Sequence, residues 1–580
     1  MLLLIWAVAA LTLVVTFGIA SLSTDDAMRL VEVRDFLAGQ SWFDLTQYRL
    51  NPPAGVVTHW SRLIDLPLAI LIKAGTVVLP GTVAEGVAIA IWPTALLLVY
   101  FAGIVRLARD LAGETAARTA LIFAALMAPV LQHFRPGAIH HHNVQIVLVI
   151  WSLALFARTP ARPRDAAAAG FLCALSVAIG QEMVPAVAML AVVVALCWVS
   201  AGERVAHATA AYACALAAGA IALGVATIAP ADYRIIRCDA ISIAQVGALA
   251  FGGFGLAAFA AMPQLNSIGR RLAAAGCLAA LLACAIGFGA PQCLADPYAQ
   301  LDPRLSSMWL SSVSEARNLA SMIRDLPNEI PAYFGIPLAA VIFGIGRCVA
   351  ERDQCRWNWI ACTAVQAALF LVSLWQLRGA SGANALGAAL VPAALLQMWP
   401  APTEGASYFG MRRAALIGLL LINPVTLLAL GNGVAHAIGA DAVTKRRIIS
   451  SGSADTCQRA RDYAPLARLS RGRVLAFIDS GSFILLESDH AVFAAPYHRD
   501  QAGNIAMLDM FLSTPDEAKA RMAAHGVDYV AFCRGAPERY NYVARAPDGL
   551  AAALYRGDVP SFLEKIPLPD TDLAVYRVRR

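Results

Sequence analysis

Residues 135–143 read RPGAIHHHN, a basic and histidine-rich step between two apolar runs, 115–131 and 142–157. Polar and ionisable side chains at the edge of hydrocarbon are expensive and mark sites by default. Two other stretches share this setting. STDDAMR (23–29) follows the apolar run 1–21, and SVSE (312–315) lies in a polar insert between the runs 272–290 and 333–350. Counting the apolar runs between them puts all three on one side of a bilayer. Carboxylates and imidazoles gathered there form a candidate site of the ligand types that a divalent cation takes.

The 580-residue chain is 59% hydrophobic and 14% charged, with a mean hydropathy of +0.62. No soluble core needs so many apolar runs of about 20 residues, so the chain reads as an α-helical polytopic membrane protein. On a window of about 20 residues there are about thirteen transmembrane helices: 1–21, 86–105, 115–131, 142–157, 166–182, 184–200, 208–228, 243–262, 272–290, 333–350, 358–376, 384–400 and 414–432. One set of loops carries Arg106 and Arg109, Arg158, Arg162 and Arg164, Arg204, Arg270 and Arg271, Arg347, Arg352 and Arg356, and Arg412 and Arg413. By the positive-inside rule these are cytoplasmic. The N-terminus is then cytoplasmic and the C-terminus external, which implies a bacterial inner membrane with a periplasmic C-terminal domain. The net charge of +6 and pI of 8.7 arise from these loops and do not point to nucleic acid.

Residues 1–21 have no Lys or Arg ahead of the apolar run and read as an uncleaved first helix. Residues 63–80 are apolar enough to span. Inserting them would invert every later loop, and Asp65, Pro67 and Lys73 interrupt the run. They are assigned to a re-entrant or interfacial part of the first external loop, 22–85; the second long external loop is 291–332. After residue 435 the composition turns to that of a soluble α/β domain, 436–580. Within it, 474–478 and 527–532 read as short buried strands. Residues 505–512 and 515–525 read as helices, the second capped by Ser513 or Thr514. Four cysteines fall on the external side, giving Cys238–Cys293 and Cys457–Cys533 as candidate disulfides in an oxidising compartment.

At 23–29, Asp25 and Asp26 suit two tasks. They can cap the amphipathic helix that follows, or they can bind a metal. The three histidines likewise suit headgroup contacts or metal ligation. In order and context the three stretches resemble the metal-binding motifs of oligosaccharyltransferase catalytic subunits, members of the GT-C superfamily of lipid-linked sugar transferases.

The resemblance implies roles for particular residues. Asp26, directly before Ala27, matches the acidic residue that binds metal and contacts the acceptor as base or orienter, with Asp25 in reserve for that role. Archaeal relatives carry Asp-His-His where this chain has three histidines, so His140 stands where they have Asp and His142 matches the ligand histidine. Exchange of a carboxylate for an imidazole makes Mg²⁺ less suited and Mn²⁺ or Zn²⁺ more so. Glu315 matches the glutamate of the SVSE string, near metal and acceptor. Arg378, with Arg135, is the candidate for donor phosphate, since a guanidinium offers bidentate contacts; snorkelling to the interface accounts for Arg378 equally. Glu182, Asp479, His498 and Arg499 are further candidate substrate contacts.

The resemblance breaks in the soluble domain. Where the family has WWDYG, which holds the sequon hydroxyl, this chain has Phe477-Ile478-Asp479-Ser480-Gly481, keeping only Asp479 and Gly481. The expected activity is metal-assisted transfer of a sugar or glycan from a polyprenyl-phosphate or -pyrophosphate donor on the external side. The acceptor is a glycan, lipid or protein, and not an Asn sequon. Two other readings stand beside it: a transporter or flippase of lipid-linked glycans, and a non-catalytic scaffold with the same fold. A transporter should place its ionisable residues near the bilayer midplane, whereas here they cluster at one surface.

Overall fold

The computed structural model describes residues 1–18, 21–158, 162–296, 298–398, 418–437, 457, 459–533, 539–568 and 571–579. The chain is a multi-pass membrane protein. Among the described residues, 8 helices are long and apolar enough to cross a bilayer, and two shorter apolar helices, Leu2–Phe17 and His142–Phe156, accompany them. Two of the expected spans, 86–105 and 115–131, lie in one element, Gly81–Ala124, that is broken at Ala112 and Gly113. Gly113 has φ 82°, the left-handed region that costs glycine least, and so divides the run. The expected spans ending at 400 and beginning at 414, and the Arg412–Arg413 pair, fall partly or wholly outside the described residues.

The helices pack through small residues and bury a common core that includes Trp198 and Trp359. Ile268–Gly289 is hardly buried at all, so nearly its whole apolar surface is left for lipid. Helix Arg62–Gly75 behaves differently. Its 14 residues cover about 21 Å at 1.5 Å per residue, short of the hydrocarbon core of about 30 Å. It is also pinned by charge. Asp65, fully buried, accepts from Arg29 at 2.7 Å and Arg62 at 3.0 Å, and Arg29 also reaches Glu32 at 3.2 Å. A buried carboxylate held by two arginines fixes this helix against helix Thr24–Leu37.

The C-terminal region carries a five-stranded sheet in the order Ala491–Val492, Arg473–Leu475, Tyr529–Cys533, Leu573–Val578, Leu563–Ile566. The first three strands are parallel and the last two antiparallel. Both strands expected from sequence are present, somewhat shifted, and helix Pro515–His525 begins with a Thr514–Glu517 capping box. Disulfides join Cys238 to Cys293 and Cys457 to Cys533. The first polar loop continues the sheet edge: Asn51 donates its backbone N–H to Val492 at 2.7 Å. Arg49 donates to the carbonyls of Leu485 and Ser488. One apolar cluster therefore runs from helix Thr24–Leu37 through the sheet.

Candidate active site

Helix Thr24–Leu37 starts at an N-cap, Ser23, whose hydroxyl accepts from the Asp26 N–H, while Asp26 accepts in return. This capping box satisfies two orphan donors of the helix end. It accounts for only part of what Asp26 does. Its Oδ2 takes donors from Ser23 N at 3.0 Å, Ser23 Oγ at 2.7 Å and Arg135 Nη2 at 3.0 Å. Its Oδ1 takes Ile139 N at 2.8 Å, His140 N at 3.1 Å and His140 Nδ1 at 2.7 Å. Burial pushes this carboxyl up, yet His140, Arg135 and Ser23 outweigh burial and hold it well below the usual range. Every lone-pair direction of Asp26 is thus engaged in tying helix Thr24–Leu37 to the histidine loop.

Asp25 is the contrast. Its carboxyl accepts no hydrogen bond from the described residues. Burial, then the nearby Glu315 charge, raise it to about 6, with Asp26 adding to the rise and His140 and His141 opposing it. Glu315 lies in the turn Ser314–Ala316, which is tied to the 377–378 turn by Arg378 N to Glu315 O at 3.0 Å and Leu377 N to Arg317 O at 2.8 Å. Burial raises the Glu315 carboxyl, but His142, Arg378 and His140 together hold it below its ordinary value. Two carboxyl groups from distant loops thus act on one histidine cluster, and the Glu315 charge reaches Asp25.

The histidine loop is shaped by Gly137, at φ 92°, where a Cβ would sit 2.9 Å from the Ser21 carbonyl. Asn143 closes it by donating to the carbonyls of Ala138 at 2.8 Å and His133 at 3.1 Å. Within it, His140 Nε2 and His133 Nδ1 share a hydrogen bond at 3.1 Å, and His133 Nε2 and Ser381 Oγ share another at 2.7 Å, the donor in each set by the histidine tautomer. His141 donates to Glu182 Oε1 at 2.9 Å. The Nδ1 of His142 is buried without a partner. Ligand atoms of His133, His140 and His142 lie within 4.8 Å of one another, as do those of His141, His142 and Glu182.

The other residues singled out from sequence divide by engagement. Arg378 donates from Nη2 to Tyr298 at 3.1 Å, and its Nε is buried without a partner. Its charge reaches both Glu315 and Glu182. Arg135 is committed to the loop, donating to Asp26 and to the carbonyls of Gln132 and Ser21. Arg499 grips Asp239 in a bidentate pair, 2.7 Å on each oxygen, and His498 donates to Asp239 at 2.7 Å. These two hold the C-terminal region to the loop that carries Cys238. Asp479 is exposed in the turn Ile478–Ser480. Its neighbour Phe477 is buried against Phe511, Phe532 and Tyr542.

Sequence reasoning passed over His133, which ends an apolar run, and Tyr298 and Asp239, each only a few residues from a cysteine of the Cys238–Cys293 pair. The four histidines between 133 and 142 were the available signal for the first. Nothing local marks the other two.

No protein-family model matches the chain, and no curated protein resembles it in sequence. Solved structures do match. The apo oligosaccharyltransferase of Archaeoglobus fulgidus superposes with a TM-score of 0.68 at 16% identity, over 97% of this chain and 73% of that one. The archaeal oligosaccharyltransferase AglB from the same organism, in complex with an inhibitory peptide and a dolichol-phosphate, gives 0.65 at 16% identity over 100% and 74%. The fold is GT-C. A third structure of that oligosaccharyltransferase, in complex with Zn and sulfate, gives 0.64 at 16% identity over 99% and 73%. At this identity the likeness is one of fold, and it covers the C-terminal sheet as well as the membrane helices.

Proposed function

We propose that this chain is a membrane glycosyltransferase that takes a sugar or glycan from a polyprenyl-phosphate or -pyrophosphate donor on the external face of a bacterial inner membrane. Residues 1–435 would form the membrane part and 436–580 the periplasmic domain. The observation that carries the reading is the meeting of Asp25 and Glu315, neither of them tied up by hydrogen bonds, beside buried imidazoles and the partnerless Nε of Arg378. The neighbours' complexes with a dolichol-phosphate and with Zn and sulfate fit the same reading.

In this scheme Asp25 accepts a hydrogen bond from the acceptor nucleophile and takes its proton as the new bond to the sugar C1 forms. The bond from C1 to the phosphate oxygen breaks, and the electron pair leaves with the phosphate. Arg378 neutralises that charge through its unpaired Nε and keeps the leaving group in line. The donor set fits a divalent cation, because the orphaned Nδ1 of His142 sits among further imidazoles and a carboxylate. His140, His142 and Glu315 would hold that cation, whose chemistry is Lewis-acid stabilisation of the departing phosphate; imidazole-rich ligation favours Zn²⁺ or Mn²⁺ over Mg²⁺. Asp26, saturated by six donors, positions His140 and is left out of the proton transfer. Asp25 takes the acceptor role that the motif order alone gives to Asp26.

The test is deletion in the native host with mass analysis of surface glycans and lipid-linked precursors. Loss of an external glycan with accumulation of a polyprenyl-linked sugar is the expected result. Unchanged glycans and precursors would contradict it.

A further inference from the structure

We propose that this chain holds its cation on three imidazoles, His133, His140 and His142, with Asp26 behind His140 and Ser381 behind His133. The proposal builds on the reading above for the cation's role, and it puts His133, a ligand that the motifs do not contain, in the place given there to Glu315, which stays as a neighbouring charge. It also moves Asp26 from ligand to support.

The geometry is that of a ligand set already assembled. The ring centroids of the three histidines form a near-equilateral triangle with sides of 5.5, 5.5 and 5.0 Å. The rings stand 76°, 78° and 70° to one another, like the blades of a propeller. Three imidazoles bound tetrahedrally at about 2.05 Å have nitrogens about 3.3 Å apart and ring centroids about 5.2 Å apart. His133 Nδ1 and His140 Nε2 are hydrogen-bonded to one another at 3.1 Å, a contact whose single proton the ion would displace. No movement larger than a fraction of an ångström is needed for these two.

The outer nitrogens explain why the inner ones converge. His140 donates its Nδ1–H to Asp26 at 2.7 Å, which leaves Nε2 to face inward. His133 places Nε2 at 2.7 Å from Ser381 Oγ, which leaves Nδ1 to face inward. A metal-bound histidine commonly donates its other N–H to a carboxylate or another acceptor in this way, fixing ring orientation and tautomer. The third ring, His142, has a buried nitrogen with no partner at all. Three protein ligands leave one position open, as catalytic zinc sites do. Glu315 contributes a neighbouring negative charge that acts together with His142 and His140. An oxygen of the donor phosphate is the ligand the open position would take.

The competing group, His141, His142 and Glu182, shares one ring but is partly spent, because Glu182 already accepts from His141 at 2.9 Å. The two arrangements separate by mutation. Full-length protein in detergent is loaded with Co²⁺, read by its visible d–d bands, and Zn²⁺ is counted by mass spectrometry. The wild type should bind one ion per chain with absorption typical of tetrahedral coordination. His133→Ala should lose Co²⁺ affinity, and Ser381→Ala should weaken it roughly 10-fold. Glu182→Gln and Asp25→Asn should leave stoichiometry unchanged. His133→Cys guards against simple misfolding: it should keep Co²⁺ and add a thiolate-to-metal charge-transfer band. No ion in the wild type, equal affinity in His133→Ala, no such band in His133→Cys, or loss of the ion in Glu182→Gln alone would each overturn the proposal. These readouts do not use sugar transfer, so failure of the glycosyltransferase reading would show separately, as an unchanged glycan profile on deletion.

Discussion

Replacing Asp26 by asparagine sets an NH₂ group against a site that offers only donors. Six donors converge on its two oxygens. If the asparagine keeps its oxygen at the Oδ1 position, the Ser23 N–H and the Arg135 guanidinium lose their acceptor; if it flips, two backbone N–H groups and His140 lose theirs. A buried donor left unpaired costs about 1–3 kcal/mol, and a lost hydrogen bond to a charged group about 1.5–3 kcal/mol. Asp26→Asn should therefore destabilise the fold by about 3–5 kcal/mol, the range for breaking a buried ion pair. Asp25→Asn should do the reverse. Asp25 has no hydrogen bond to lose, and its raised pKa means that the folded state disfavours its charge. The folded carboxyl binds its proton more tightly than the unfolded one, so stability falls as pH rises from the unfolded value of 3.8 to about 6. Above pH 6 the asparagine variant should be as stable as the wild type or more so. Thermal melts of detergent-solubilised protein, followed by size-exclusion recovery, read both. A wild-type melting point for Asp26→Asn, or strong destabilisation by Asp25→Asn, would refute this division of labour.

Other outcomes follow from the same geometry. Sugar transfer should decline as pH falls through about 6, because protonated Asp25 cannot take the acceptor's proton; a flat rate between pH 5 and 7 would remove Asp25 as the base. Cysteine labelling should find residue 83 outside and residue 110 inside, since helix Arg62–Gly75 is anchored by Asp65 and is too short to cross; a cytoplasmic residue 83 would invert the arrangement. An Asn-X-Thr peptide offered with a lipid-linked glycan should give no glycopeptide, because Phe477 is packed into the core where a sequon-reading aromatic would stand. Robust glycopeptide formation would restore a sequon-directed activity.

Much of the architecture is written in local pattern. Helix Pro515–His525 announces itself through Thr514 and Glu517, whose capping box depends only on residues three apart. The expectation that 63–80 does not cross rests on Asp65, to which the structure gives two arginine partners. What sequence could not give depends on which face of an element a side chain occupies. Asp25 and Asp26 are adjacent and chemically identical, and only the direction in which the helix presents them makes one a six-fold acceptor and the other open. His133 hides at the end of an apolar run until the loop at Gly137 folds it against His140. The Asp239–Arg499 clamp joins residues 260 positions apart, and no local spacing encodes it. The break at Ala112 and Gly113 divides Gly81–Ala124 into two helices, in keeping with the two apolar runs that a window of about 20 residues reads there.

The most direct test of the account is complementation of the deletion host with Asp25→Asn and Glu315→Gln at matched protein levels, reading external glycan and polyprenyl-linked precursor together by mass spectrometry. The account predicts normally folded, membrane-inserted protein in both strains, no restored glycan, and a precursor pool as high as in the deletion. Wild-type glycan in both strains would contradict it.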